Sequence, residues 1–87
     1  MAWRIELTET AAKTLAKLDK QVARRITRFL RETLAEMDDP RSAGRALVGD
    51  EKLWRYRVGD FRIVVTIEDA AIRILVIRIG HRRDVYR

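Results

Sequence analysis

Apolar and polar positions alternate most regularly in LWRYRVGDFRIVVTI, residues 53–67. Two alternating runs meet at Gly59-Asp60, and glycine followed by aspartate suits a tight two-residue turn, so the segment predicts a β-hairpin. The turn sets the register: Val58 faces Phe61, Arg57 faces Arg62 and Arg55 faces Val64. Trp54, Tyr56, Val58, Phe61, Ile63 and Val65 then share one face of the hairpin, and Arg55, Arg57 and Arg62 share the other. Like charges placed opposite each other on a sheet destabilise it. A fold carries that cost more readily where an anion is meant to bind between them.

Elsewhere the period changes. Residues 3–7 alternate, with Trp3, Ile5 and Leu7 against Arg4 and Glu6, and read as a short strand. Thr8 or Thr10 can cap the next helix, whose apolar stripe is Ala12, Leu15 and Leu18. Asp19 offers a second cap almost at once, so two helices meet with hardly any loop. In the second helix, residues 20–37, Val22, Ile26, Phe29, Leu30, Leu34 and Met37 fall at helical spacing, and Arg24, Arg25, Arg28, Arg31 and Glu32 take much of the remainder. Asp38-Asp39-Pro40 ends it, because proline disfavours helix in the residue before it. Residues 41–51 read as the one long loop, hinged at Gly44 and Gly49 and anchored by Leu47-Val48. After the hairpin, Glu68-Asp69 marks a turn. AIRILVIRI, residues 71–79, reads as a strand apolar enough to be central, and Gly80 is expected to break it. Residues 81–87 form a polar tail with room for a short final strand.

The elements predict an α+β fold: an N-terminal strand, a two-helix hairpin, then a three- or four-stranded antiparallel sheet with both helices packed on one face. The helices are expected to cover the Trp54/Tyr56/Val58 face and leave the arginine face open. At 87 residues the chain is expected to form one domain spanning residues 1–87. It has no cysteine, which excludes disulfides and thiolate metal sites and fits a reducing compartment. No apolar run approaches the about 20 residues that span a bilayer, and MAWRIEL lacks signal-peptide architecture. A cytoplasmic location with no membrane partner is therefore expected.

Charge sharpens the picture. The net charge is +6, and residues 53–87 carry eight basic against four acidic groups, every basic one an arginine apart from the weakly basic His81. The guanidinium fork binds phosphate bidentately and stacks on bases, so nucleic acid leads the anionic partners; a solvated, salt-bridged surface is the competing reading. The constellation of interest is Arg55, Arg57 and Arg62 with Arg82 and Tyr86 just beyond the third strand, a set able to hold a phosphodiester and a stacked base. Tyr86 reads equally well as an aromatic pinned to the core. His81, with an ordinary pKa near neutrality, is suited either to proton transfer or to a plain surface role. Asp84 reads as structural. One histidine, no cysteine and no clustered carboxylates argue against a metal site, and no cofactor is expected.

Three segments together resemble a known family: TETAAKTLAKLDKQV, DDPRSAGRALVGDEKLWRYRVGDFRIVV and the ending IRIGHRRDVYR. The chain resembles the RelE-type toxins of the RelE/ParE superfamily, the toxic halves of bacterial toxin–antitoxin pairs. The resemblance implies a metal-independent endoribonuclease that cleaves mRNA in the ribosomal A site. In that chemistry the ribose 2′-hydroxyl attacks the adjacent phosphate, leaving a 2′,3′-cyclic phosphate and a 5′-hydroxyl. It implies catalytic roles for Arg57, Arg62, Arg82 and Tyr86, and substrate-binding roles for Arg55, His81 and Arg83. It also implies a cognate antitoxin that wraps the toxin in a hetero-oligomer, with the ribosome and mRNA as further partners. Arg55 and Arg57 stand where the type member has lysines. An arginine cannot lose its proton near neutrality, so the general base falls to Tyr86, His81 or a ribosomal group. The alternative within the superfamily is a ParE-like toxin that binds DNA gyrase without cutting RNA, or a catalytically inactive relative.

Overall fold

In the computed structural model, which describes residues 2–47 and 49–81, strand β1 (Arg4–Leu7) leads into helices α1 (Glu9–Lys17) and α2 (Lys20–Arg28). The helical path continues as a π-helical turn, Phe29–Leu34, closed by the Ala35 amide donating to the Leu30 carbonyl five residues back (2.9 Å). A 3₁₀ turn (Pro40–Ala43) and strands β2 (Arg45–Leu47), β3 (Asp50–Val58), β4 (Phe61–Glu68) and β5 (Arg73–His81) complete the fold. The strands form one sheet in the order β1-β5-β4-β3-β2. Strands β2 to β5 are antiparallel neighbours, and β1 pairs parallel to β5 at the edge.

Local chemistry explains the helical ends. The Thr8 hydroxyl accepts from the Ala11 amide (3.2 Å) and Asp19 Oδ2 accepts from the Gln21 amide (3.1 Å). Such caps satisfy amides that the first turn leaves orphaned, each contributing about 1 kcal/mol. The stripe expected on the second helix is present: Ile26, Leu30 and Leu34 are buried, with Val22, Phe29 and Met37 partly so. On the first helix Ala11 is buried and Ala12 is exposed, so the stripe runs through Ala11, Leu15 and Leu18. These side chains meet Tyr56, Val58, Ile63, Val65, Ile74, Val76 and Ile79 in one cluster. Each fully buried aliphatic contributes roughly 1.5–3 kcal/mol relative to exposure.

The hairpin register is Val58↔Phe61, Arg57↔Arg62 and Arg55↔Val64, as the turn residues predicted. Gly59 has φ +59° while Asp60 keeps a negative φ, the pattern of a turn whose first central position favours glycine. Three expectations need correction. Residues 41–51 are not a loop: after the 3₁₀ turn, Arg45 pairs with Arg55 and Ala46 with Trp54. That added strand is the fourth antiparallel one. Gly80 does not break β5, because it pairs with Arg62 and the strand runs on to His81. The α-helix expected through residue 37 becomes π-helical at Phe29, and a turn follows Leu34. A final strand in the tail falls on residues 82–87, which lie outside the described residues.

Strand β5 carries one irregularity. Val65 pairs with Val76 but Val64 pairs with Arg78, so Ile77 is the extra residue of a bulge. Thr8 Oγ1 donates to the Ile77 carbonyl (3.2 Å) at that point. Strict alternation would carry Arg78 to the same face as Ile74 and Val76. The inserted residue reverses the parity, so Arg78 emerges on the open face and Ile79 enters the core. Among the described residues, no helix is long and apolar enough to cross a membrane.

Candidate nucleic-acid interface

Cross-strand partners project to the same side of a sheet, so the register places the arginines in rows on the face away from the helices. One row runs Arg45, Arg55, Val64, Arg78 across β2, β3, β4 and β5. The next runs Arg57, Arg62, Gly80 across β3, β4 and β5. Val64, in the first of these rows, is only 4% exposed. Gly80 puts no side chain beside Arg62 in this row. A groove of about 350 Å³ opens on this face, lined by Arg45, Arg55, Arg57 and Arg62 with Ala43, Gly44 and Tyr56.

The wall of the groove is rigid for identifiable reasons. Tyr56 is 2% exposed, its hydroxyl donates to the Pro40 carbonyl (2.7 Å), and its ring tilts against Phe29 at 5.8 Å. Burial pushes its phenol up to about 12, so it keeps its proton at neutral pH. Gly44 lies so close that a Cβ there would sit 2.7 Å from Tyr56 Cε1 and 2.9 Å from the Arg55 carbonyl. The 3₁₀ turn thus lies directly on the Tyr56 ring and delivers β2, with Arg45, to the edge of β3.

The arginines divide by what neutralises them. Arg73 donates to both carboxylate oxygens of Glu68 (2.6 and 2.8 Å) and to Glu6 (3.1 Å). Arg41 grips Asp69 with both terminal nitrogens (3.2 and 2.6 Å), meets Asp39 and lies 6.0 Å from the Trp54 ring. The pairing is mutual: hydrogen bonds from Arg73 and Arg41 hold the Glu68 and Asp69 carboxyls below their ordinary range, and those acids raise the two guanidiniums. The groove is different. Among the described residues its lining holds no acidic side chain, and no carboxylate lies within 4.0 Å of Arg45 or Arg57. A phosphate entering this space would supply the missing charge.

Of the residues singled out from sequence, Arg55, Arg57 and Arg62 are brought together. His81 is not brought to them: it pairs with Phe61 and meets its ring edge-on at 5.5 Å. It therefore takes the parity of the helix-covered face, one residue out of phase with Gly80. Arg82, Arg83 and Tyr86 lie outside the described residues. Sequence reading missed Arg45 and Arg78. Arg45 stood in an expected loop, and Arg78 needed a bulge that no composition signal announces. Among the described residues, no three His, Cys, Asp or Glu side chains cluster as metal ligands would.

Residues 5–86 match the family model described as the ParE toxin of type II toxin–antitoxin systems. The chain belongs to the RelE/ParE toxin family. This toxin is 33% identical over 86 residues to Toxin RelE of Mycobacterium tuberculosis, covering 98% of this chain and 87% of that one. Its fold matches a chain of the RelBE2 toxin–antitoxin complex from the same organism with a TM-score of 0.84, at 24% identity over 97% and 95% of the two chains. It also matches a chain of the archaeal RelE–RelB complex of Pyrococcus horikoshii with a TM-score of 0.77, at 25% identity over 98% and 100%. A RelE/ParE toxin with this arginine face has the equipment to stabilise negative charge building on a phosphate. It has no described group there that ionises near neutrality, so the face supplies electrostatics rather than a proton acceptor.

Proposed function

We propose that this toxin is a ribosome-dependent mRNA endoribonuclease, acting as a single domain of residues 1–87 in the cytoplasm. The carrying observation is the gathering of Arg45, Arg55, Arg57 and Arg62 round one groove, where, among the described residues, Arg45 and Arg57 meet no carboxylate of the kind that neutralises Arg41 and Arg73. A strand of mRNA laid along it presents a phosphodiester to Arg57 and Arg62. The ribose 2′-oxygen attacks the adjacent phosphorus, the bond to the 5′-oxygen breaks, and a cyclic phosphate and a 5′-hydroxyl remain. Negative charge grows on the non-bridging oxygens, and each well-placed donor there lowers the barrier by about 3–4 kcal/mol. Arg82 and Tyr86, which lie outside the described residues, are assigned to the same site by the resemblance to RelE-type toxins. Arg82 adds charge stabilisation, Tyr86 stacks on the base or assists proton transfer, and Arg55 and Arg83 hold the flanking backbone. The proton of the attacking hydroxyl goes to Tyr86 or to a ribosomal group, since an arginine cannot accept it.

Poison of this kind needs a partner that silences it. Relatives of this fold are found in RelB–RelE complexes, which supports a cognate antitoxin that covers the arginine face and forms a hetero-oligomer with the toxin. The family model's ParE name supports a second reading, a non-nuclease toxin that binds DNA gyrase. Inducible expression with mapping of mRNA 5′ ends separates them. Discrete cuts within translated codons are expected. Intact message with blocked supercoiling would transfer the assignment to gyrase.

A further inference from the structure

Arg57 belongs to two cavities. Besides the open-face groove it lines a second one, of about 290 Å³, with Arg25, Arg28, Phe29, Thr33 and the turn residue Gly59. This second cavity lies between the hairpin tip and the helical layer. Among the described residues, no strand pairs with β3 past Arg55 on its outer side, because β2 begins at Arg45, the partner of Arg55. From Tyr56 to Val58 that side of β3 therefore has no strand partner among the described residues, and the exposed Arg57 is common to the two cavities. At about 3.3 Å per residue, the turn lies roughly 7 Å beyond Arg57 along the strand.

Four features make this cavity an anion site in its own right. Among the described residues it is lined by three exposed arginines and no acid. The carboxylate that meets a lining arginine competes weakly: Glu32 meets Arg28 at 3.5 Å in a pair whose side chains are 76% and 69% exposed, a geometry that contributes little. Asp60 of the turn makes no ion pair among the described residues. Arg25 is already aimed at the tip, since a Cβ on Gly59 would lie 3.2 Å from Arg25 Nη1. Finally, Phe29 and Thr33 enter the wall from the π-helical turn, and such turns are frequent at functional sites because they re-aim side chains.

We infer that Arg25, Arg28 and Arg57 form a second phosphate site, which takes the RNA backbone as it leaves the open face and turns over the hairpin edge towards α2. The inference rests on the ribonuclease reading and adds a contact that serves grip and direction of the strand rather than bond breaking. Arg57 links the two sites, so the RNA runs as one continuous track from β4 to the helical layer.

The test is salt-dependent binding of 2′-O-methylated single-stranded RNA, which lacks the attacking hydroxyl and stays intact. A trinucleotide and a dodecanucleotide are titrated from roughly 50 to 200 mM NaCl. Each phosphate neutralised on a single strand contributes about 0.7 to the slope of log K against log salt. In the wild-type toxin the dodecanucleotide should show the steeper slope. Arg25→Gln with Arg28→Gln should flatten that slope by about 0.7–1.4, closing the gap between the two lengths. Arg25→Lys with Arg28→Lys should restore it, which a packing role would not do. Both arginines are exposed, so the thermal midpoint of each variant should stay near wild type. An unchanged slope in the glutamine variant, while Arg62→Gln flattens it, overturns the second site and leaves the open-face reading standing. An unchanged slope in Arg62→Gln overturns the reading on which the second site rests. Loss of antitoxin binding in the glutamine variant, with RNA binding intact, gives the cavity to an acidic protein partner and also overturns the proposal.

Discussion

Removing one oxygen, Tyr56→Phe, isolates what holds the arginine groove in shape. Phenylalanine keeps the ring against Phe29 and under Gly44, so packing changes little. The 2.7 Å hydrogen bond to the Pro40 carbonyl disappears, and both residues are buried. Stranding a buried acceptor costs about 1–3 kcal/mol. A loss of about 2 kcal/mol in a chain of this size lowers Tm by roughly 8–16 °C. Urea unfolding should show a lower midpoint with an unchanged slope, since the surface exposed on unfolding is the same. Alkaline pH supplies an independent check. The unfolded phenol ionises near pH 10, whereas burial holds the native one protonated to about 12. Over that interval the unfolded chain has released a proton that the native chain retains, so wild-type stability falls as pH rises, by up to about 2–3 kcal/mol. Tyr56→Phe has no such group, and the stabilities of the two proteins should converge between about pH 10 and 12. Equal stability at neutral pH, or two parallel alkaline profiles, would refute the reasoning.

Arg62→Ala should abolish toxicity on induced expression while leaving Tm near wild type; full toxicity with a folded protein removes Arg62 from the site. Gly44→Ala should destabilise by about 1–3 kcal/mol through overpacking, because its Cβ would meet Tyr56 and the Arg55 carbonyl below 3.0 Å; urea unfolding indistinguishable from wild type contradicts this. Acidification should destabilise through Glu68 and Asp69, whose native carboxyls are held low by Arg73 and Arg41. Their contribution is complete above the unfolded values near pH 4 and is lost as pH falls through the lower native ones, and Arg41→Gln with Arg73→Gln should flatten Tm against pH in the acid range.

The hairpin was legible because two independent signals agreed. The period-two pattern named the faces and Gly59-Asp60 fixed the register, so a slip of one residue would have inverted Tyr56, Val58, Ile63 and Val65 together. Nothing comparable constrained β5. ILVI is apolar at every position, so its parity is invisible in composition, and the bulge at Ile77 decides where Arg78 and Ile79 point. The same parity sends His81 towards Phe61, and chain proximity to Gly80 is no guide to that. In β2 three residues pair at an edge, too few to show a period, so Arg45 read as loop. In the helices the apolar spacing located the stripe, but the change from α to π at Phe29 depends on how that layer meets the sheet. Sequence therefore identified which arginines could gather, and tertiary register decided which ones do.

The arginine face has a cost that magnitudes can place. Two unit charges about 6 Å apart repel by about 0.7 kcal/mol in a water-like medium and about 3 kcal/mol at an effective dielectric near 20. Guanidiniums cannot relieve this by deprotonation. Small domains are stable by about 5–15 kcal/mol, and a cluster of several such pairs is therefore a substantial fraction of the whole. What offsets it lies on the other side of the same strands. Tyr56, Val58, Ile63 and Val65 alternate with Arg55, Arg57, Arg62 and Val64, and the first set is buried under Ile26, Leu30 and Leu34. The alternation that exposes each arginine also buries its neighbour, so the hydrophobic layer anchors the charges at fixed spacing. Arg41 and Arg73 show that this chain can neutralise an arginine where only stability is at stake, with bidentate acids supplied from neighbouring elements. The same remedy at Arg45 and Arg57 would fill the groove with carboxylate and exclude a phosphate.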